Sequence, residues 1–137
     1  MINTVISQII NCIKGEDVNY VFSAFGNQPV ENMPKKIVTI VGIDSLNLKK
    51  PVRSQGHICF PFEACADISI KAPQRCGASE LYDFFSSIVL ERLASSTFIC
   101  DEVKVLSLKS EKSFGEIALN TKIQLSGICS FERSVAS

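Results

Sequence analysis

The only histidine, His57, opens a run in which Cys59, Glu63, Cys65 and Asp67 fall on one face of an expected strand. Side chains at i and i+2 of a strand point the same way. His57 and Cys59 could therefore supply two ligands to a metal, with a third from a neighbouring strand. A Cys–His nucleophile pair could be drawn from the same two residues. No third group stands at a recognisable spacing, so a half-solvated strand face beginning at a loop junction is the preferred reading. The other reactive residues lead no further. The seven glycines are isolated and form neither a dinucleotide-binding fingerprint nor a phosphate loop. Glu16-Asp17 and Asp101-Glu102 fall at turns or strand starts, where solvated surface explains them. Ser86-Ser87 and Ser95-Ser96 lack the glycine-flanked elbow of a serine hydrolase. Phe60, Phe62, Phe84 and Phe85 lie on apolar stripes and read as packing. The expectation is a protein without catalytic residues or cofactor.

The six cysteines, Cys12, Cys59, Cys65, Cys76, Cys100 and Cys129, contain no C-x-x-C pair. Several sit in apolar runs, where a reduced cysteine behaves as a small hydrophobe. Residues 1–14 lack the basic start and small-residue cleavage site of a signal peptide. Free thiols and a reducing, cytoplasmic origin are expected. No apolar run approaches the roughly 20 residues that span a bilayer, so a soluble protein is expected.

The elements that must position these residues follow from periodicity. Ile2, Val5, Ile6, Ile9, Ile10 and Ile13 give the stripe of an amphipathic helix, with Gly15 placed to end it. Val18 to Phe25 reads as a strand, broken by Gly26-Asn27-Gln28-Pro29. Ile37 to Ile43 is apolar on both faces and reads as a central strand, with Gly42 marking a bulge or a close approach. Asp44 to Gly56 is polar and basic, a loop or hairpin tip, so a protruding loop or hairpin is expected around 44–57. From His57 to Ala72 the alternation is uninterrupted, with Ile58, Phe60, Phe62, Ala64, Ala66, Ile68, Ile70 and Ala72 on one face. Ser79 to Thr97 reads as a second helix, its stripe formed by Leu81, Phe84, Phe85, Ile88, Val89 and Leu93. Strands from Ile99 to Leu108 and from about Glu116 follow, joined by a turn at Lys109 to Ser113. The expected fold is a single α+β domain over residues 1–137, with the order α-β-β-β-α-β-β. It is a curved, mostly antiparallel sheet with two helices packed on one face.

Length sharpens this. A compact globule of 137 residues is about 37 Å across, from a radius of gyration near 14 Å. The 57–72 strand would extend about 53 Å at ~3.3 Å per residue. It must bend sharply, with Pro61 the expected breaking point, or protrude. Protruding strands on a small domain point to an oligomer.

The charge pattern agrees. With 14 cations and 14 anions the chain is neutral, which excludes a generic polyanion binder. By segment the balance is −2 over residues 1–34, +4 over 35–75, −4 over 76–103 and +2 thereafter. Lys35, Lys36, Lys49, Lys50 and Arg53 dominate the basic part, and Glu80, Asp83 and Glu91 mark the acidic helix. Solvated faces can scatter charge in this way. Alternatively, an acidic and a basic surface meet between copies. The loop bearing Lys49, Lys50 and Arg53 reads either as solvated or as a contact loop reaching an acidic neighbour or lining a DNA channel.

Taken together, the N-terminal helix Ile2 to Lys14, the stretch from Gln28-Pro29 to Met33-Pro34, the strand Ile37 to Ile43, the long strand Ile58 to Ala72, the helix Ser79 to Ala94 and the closing strand Ile117 to Phe131 resemble the small tail-terminator and tail-completion proteins of long-tailed bacteriophages and prophage-derived tails. The resemblance covers most of the chain and is one of layout. It implies a structural virion protein, made in the bacterial cytoplasm, that forms a homo-oligomeric ring, commonly a hexamer. Such a ring caps the tail tube and joins it to the head. Its partners would be other copies, the tail tube protein and the head connector protein, with DNA only in passage and no membrane. Another neck or head-completion component, or a small ferredoxin-like ligand-binding or regulatory domain, is the alternative.

Overall fold

The computed structural model describes residues 2–18, 20–24, 36–111 and 115–132. Phe25, the proline-containing stretch 26–34, Lys35 and residues 112–114 lie outside the described residues. The fold is mixed α+β, with two helices against one open, mostly antiparallel sheet.

Helix α1 spans Ile2–Ile13 and buries Val5, Ile6, Ile9 and Ile13. A tight bridge between Gly15 and Val18 leads to β1 (Val21–Ser23), shorter than the alternation suggests and parallel to the next strand. That strand, β2, is Val38–Leu48. Its Val38 and Val41 point to opposite faces and both are buried. The stretch 44–57, read as a protruding loop or hairpin, forms a hairpin arm. β2 runs on to Leu48, β3 (Val52–Ser54) resumes it, and both pair antiparallel with β4 (His57–Pro73). The tip turns at Gln55-Gly56, with Gly56 at φ 73°, a left-handed conformation that glycine adopts without steric cost.

Helix α2 begins as Gly77–Phe84, continues through a π-helical stretch Phe85–Leu90 and ends as Glu91–Ala94. It starts earlier and stops sooner than the periodicity predicts. The π-helical stretch has a physical use. Its buried residues Leu81, Phe85, Val89 and Leu93 are spaced by four, and in an α-helix each such step drifts by about 40°. Wider i to i+5 turns offset that drift and keep the row on the sheet.

β5 is Ile99–Glu111 and β6 is Glu116–Glu132. β5 therefore continues past the start of the predicted turn at Lys109 as far as Glu111, which pairs antiparallel with Glu116, and Gly115 before β6 has φ 62°. The sheet order is β1-β2-β4-β6-β5, with β3 beside β4. β6 enters between β4 and β5, which run parallel to each other and are linked by α2.

β4 and β6 pair without a shift from His57↔Glu132 to Pro73↔Glu116. The expected break at Pro61 does not occur. The Pro61 carbonyl accepts from the Lys49 N–H at 2.7 Å. N–H and C=O of one residue point to the same side of a strand, so the donor that Pro61 lacks is missing toward β2 and β3. There the 49–51 connection replaces the ladder, and the bonds to β6 are untouched. Irregularity is carried by the strands that flank the β4–β6 pair, with register shifts around Asp44 in β2 and around Asp101 and Leu106 in β5.

The dry face combines Phe62, Ala64, Ala66, Ile68 and Ile70 of β4 with Ile117, Leu119, Ile123 and Leu125 of β6, all buried beneath the helices. Two threonines interrupt it. Thr121 donates to the Ile68 carbonyl at 2.8 Å, whereas the buried Thr39 Oγ1 has no partner among the described residues. At the end of α2, Phe62 and Phe98 meet edge to face at 6.1 Å between ring centroids. Their rings lie over Gly127, where a Cβ would stand 2.9 Å from Phe62 and 3.0 Å from Phe98. Gly42, singled out for a close approach, meets the Ala24 methyl, which a Cβ would face at 3.2 Å.

Gly127→Ala is expected to destabilise by about 1–3 kcal/mol, the usual cost of overpacking, measured by urea unfolding. Thr39→Val removes the unpartnered hydroxyl at equal volume and should leave stability unchanged or raised.

Candidate interaction surfaces

Both helices lie on one face, and the other face of the sheet carries no helix among the described residues. On it Val38 and Gly42 of β2 are buried, while the outward residues of β4 and β6 are exposed or half-buried. The rows of this face can be read across the strands from the pairing. Ser69, Asn120 and Ser107 form one row, joined by hydrogen bonds of 2.9 Å and 3.2 Å. The next holds Gly42, Asp67, Lys122 and Lys104. The third holds Ser45, Cys65, Gln124 and Glu102, and the fourth Asn47, Glu63, Ser126 and Ile99.

The second and third rows form a charged network. Lys122 sits directly opposite Asp67 yet makes its ion pair with Asp44, the residue at the β2 register shift. Asp67 lies between them. Burial pushes its carboxyl above the ordinary value, Asp44 adds to the shift, and Lys122 opposes it. The hydrogen bond and charge of Asp44 in turn raise the Lys122 ammonium. Lys104 and Glu102 approach at 3.4 Å beside them, and a small cleft of about 90 Å³ opens between Cys65, Glu102, Lys104, Lys122 and Gln124. Sequence pattern turned Asp67 and Lys122 outward. It missed the network, because only the register brings Asp44 to them.

Further along the same face, toward the hairpin tip, lies a groove of about 660 Å³. Pro61, Ile99 and Ile128 supply its apolar surface, Cys59 and Ser130 touch at 3.3 Å, and Lys49 pairs with Glu63 at 3.7 Å. Ile99 and Ile128 are 62% and 61% exposed. His57 is exposed beyond the groove, on the strand face shared with Cys59. Among the described residues no three His, Cys, Asp or Glu side chains converge on a point that could hold a metal. The six cysteines are free thiols, Cys129 fully buried; burial raises the thiols of Cys76, Cys100 and Cys129.

The charged residues singled out from the sequence separate into two places. Lys50 and Arg53 are exposed near the hairpin tip, with Lys49 beside them. Lys36 stands elsewhere, over the Tyr20 ring at 5.7 Å, and Lys35 is outside the described residues. Glu80, Asp83 and Glu91 are all exposed on α2, adjacent to the buried row. Arg92, which the sequence reading did not single out, joins the two helices. It donates to the Ile13 carbonyl at the end of α1 at 2.6 Å and to both Asp17 carboxylate oxygens, holding the Asp17 carboxyl below its usual range. No helix is long and apolar enough to cross a membrane among the described residues.

No protein-family model matches the sequence, and no curated protein is significantly similar to it.

The Asp67 shift fixes the sign of a pH effect. A carboxyl raised in the folded state binds protons more tightly there than when unfolded, so stability falls as pH rises through the window between the ordinary and the raised value. Asp67→Asn is expected to raise the midpoint of urea unfolding at pH 7. The gain should shrink toward zero below the ordinary carboxylate pKa, where aspartate is protonated in both states.

Proposed function

We propose that this chain is a structural subunit that closes into a ring through head-to-tail contacts between copies. In this reading the ring caps a phage or prophage-derived tail tube and joins it to the head. The observation that carries the reading is the separation of the two charged groups within one subunit. From Ile58, opposite Arg53, to the end of β4 is about 50 Å at ~3.3 Å per residue. α2 then returns by only ~1.5 Å per residue, which leaves Arg53 roughly 45 Å from Glu80 and roughly 30 Å from Glu91. Screening removes interactions between exposed charges beyond about 8 Å at physiological salt. The basic tip and the acidic helix are therefore available to a neighbour rather than to each other. A contact that joins two different patches of the same chain is the heterologous kind, which generates rings. The element order, with its N-terminal helix, long strand, second helix and closing strand, supports the tail-terminator reading within that class.

A ligand-binding reading has the groove beside Ile99 and Ile128 in its favour, since pockets of several hundred Å³ with apolar walls suit small ligands. Adding polymerising tail tube protein separates the two. The ring reading expects this chain to bind tube ends and stop elongation, seen as shorter tubes by electron microscopy. Tubes of unchanged length with no bound chain would overturn it. In that assay the double reversal Lys50→Glu with Arg53→Glu should weaken assembly by about tenfold or more, the effect of opposing like charges across a contact. Adding Glu80→Lys with Asp83→Lys should recover part of the loss.

A further inference from the structure

The outer edge of β5 has no strand beside it among the described residues. The helix α2 also leaves its apolar residues open: Val103, Val105 and Leu106 are 38%, 51% and 52% exposed. We propose that this edge pairs antiparallel with the same edge of a second copy of this chain, about a two-fold axis between Val105 and Leu106. The contact is separate from the ring contact and goes beyond it.

The register argues for that axis. In a two-fold antiparallel pair, residues placed symmetrically about the axis sit opposite each other and must share a face of the sheet. Neighbours in a regular strand point to opposite faces, so an axis between two residues would ordinarily fail. Here β5 carries an extra residue where its register with β6 shifts between Val105 and Ser107, and the two halves come into phase. Val103 and Leu108 both lie on the helix side, opposite Ile123 and Leu119, whereas Glu102, Lys104, Ser107 and Lys109 all lie on the open face. The axis then sets Val105 against Leu106, Val103 against Leu108, Lys104 against Ser107 and Glu102 against Lys109. The opposite charges meet twice, once on each side of the axis. Moving the axis one residue toward the C-terminus would oppose Lys104 to Lys109, a like-charge pair that disfavours the slip.

Bulges on an edge ordinarily discourage pairing. This one falls on the axis, leaving both flanks regular. The other shift, around Asp101, marks where the new ladder ends, just past Glu102. The apolar residues of both copies then form one strip between the two α2 helices, covering a patch that water would otherwise face.

Sedimentation velocity of the full chain from micromolar to submillimolar concentration tests this, with hydrogen exchange of the β5 amides at both ends of the range. A reversible dimer is expected, with the edge amides of residues 102–109 protected as it forms. Glu102→Lys and Lys109→Glu should each weaken the dimer by about tenfold, since each opposes like charges at two places. The two together should restore it. Both sites are exposed, and a monomer melt confirms that the fold is kept. The pair Lys50→Glu and Arg53→Glu should leave this dimer unchanged, which separates it from the ring contact. A strict monomer at every concentration, a dimer indifferent to both single changes, failure of the double change to restore, or protection confined to the hairpin tip or α2 would each overturn the proposal.

Discussion

A strand advances more than twice as far per residue as a helix, about 3.3 Å against 1.5 Å, and this mismatch governs the molecule. β4 and β6 each have 17 residues and pair end to end, a ribbon roughly 55 Å long. The three successive parts of α2 have 8, 6 and 4 residues, enough for roughly 27 Å. The helix can cover only about half the ribbon. It stops where Phe98 reaches Phe62, and Gly127 is required there because two aromatic rings close the end of the core directly against the backbone. Beyond that point β3, β4 and β6 carry on without α2, which places the basic hairpin tip far from the acidic side of the helix.

Much of this was legible in the residues. Period-two alternation from Ile58 to Ala72 and from Ile117 to Leu125 identified the dry face, because a sheet with one buried side permits no other pattern. The three-and-four spacing of Ile2 to Ile13 and the row from Leu81 to Leu93 identified the helices. What escaped depended on partners. Pro61 looks like a breaker to any local reading, and only the position of the β2–β3 connection makes its missing donor harmless. Asp44 reads as the start of a loop or hairpin tip, and only the pairing shows that the ladder takes it as a bulge and continues to Leu48. The parallel pairing of β1 and the β6 insertion between β4 and β5 leave no mark on the residues themselves. The π-helical stretch is an intermediate case: the spacing of four from Leu81 to Leu93 is visible in sequence, but its meaning requires knowing that all four residues are buried.

The candidate surfaces show the same division. Alternation turned Cys59, Glu63, Cys65 and Asp67 to the open face with His57. The register distributes them along it instead of gathering them. Cys59 joins the groove near the tip, Cys65 and Asp67 join the charged network, and His57 stands at the ribbon's end. A shared strand face extends about 6.6 Å for each pair of residues, so same-face residues diverge quickly unless neighbouring strands bring others to the same level. The network of Asp44, Asp67 and Lys122 arises in that way. It also has a cost: two carboxylates share one ammonium, and the more buried of them, Asp67, is held less comfortably as an anion.

The two proposed contacts differ in symmetry, and this constrains how they could be used together. A head-to-tail contact joins unlike patches and generates a ring with one rotation axis. The β5 contact joins like patches about a two-fold axis. Combining a ring with two-folds perpendicular to its axis gives two rings back to back, with the polarity of one reversed relative to the other. A cap on a tube must present one face to the tube and another to the head, so it needs a single polarity. The β5 edge would then serve the free chain, covering Val103, Val105 and Leu106 before a tube is available. Docking at a tube end would have to compete with that pairing. The register shift around Asp101 suits such a role, because it limits the new ladder to a short stretch and keeps the contact weak enough to give way.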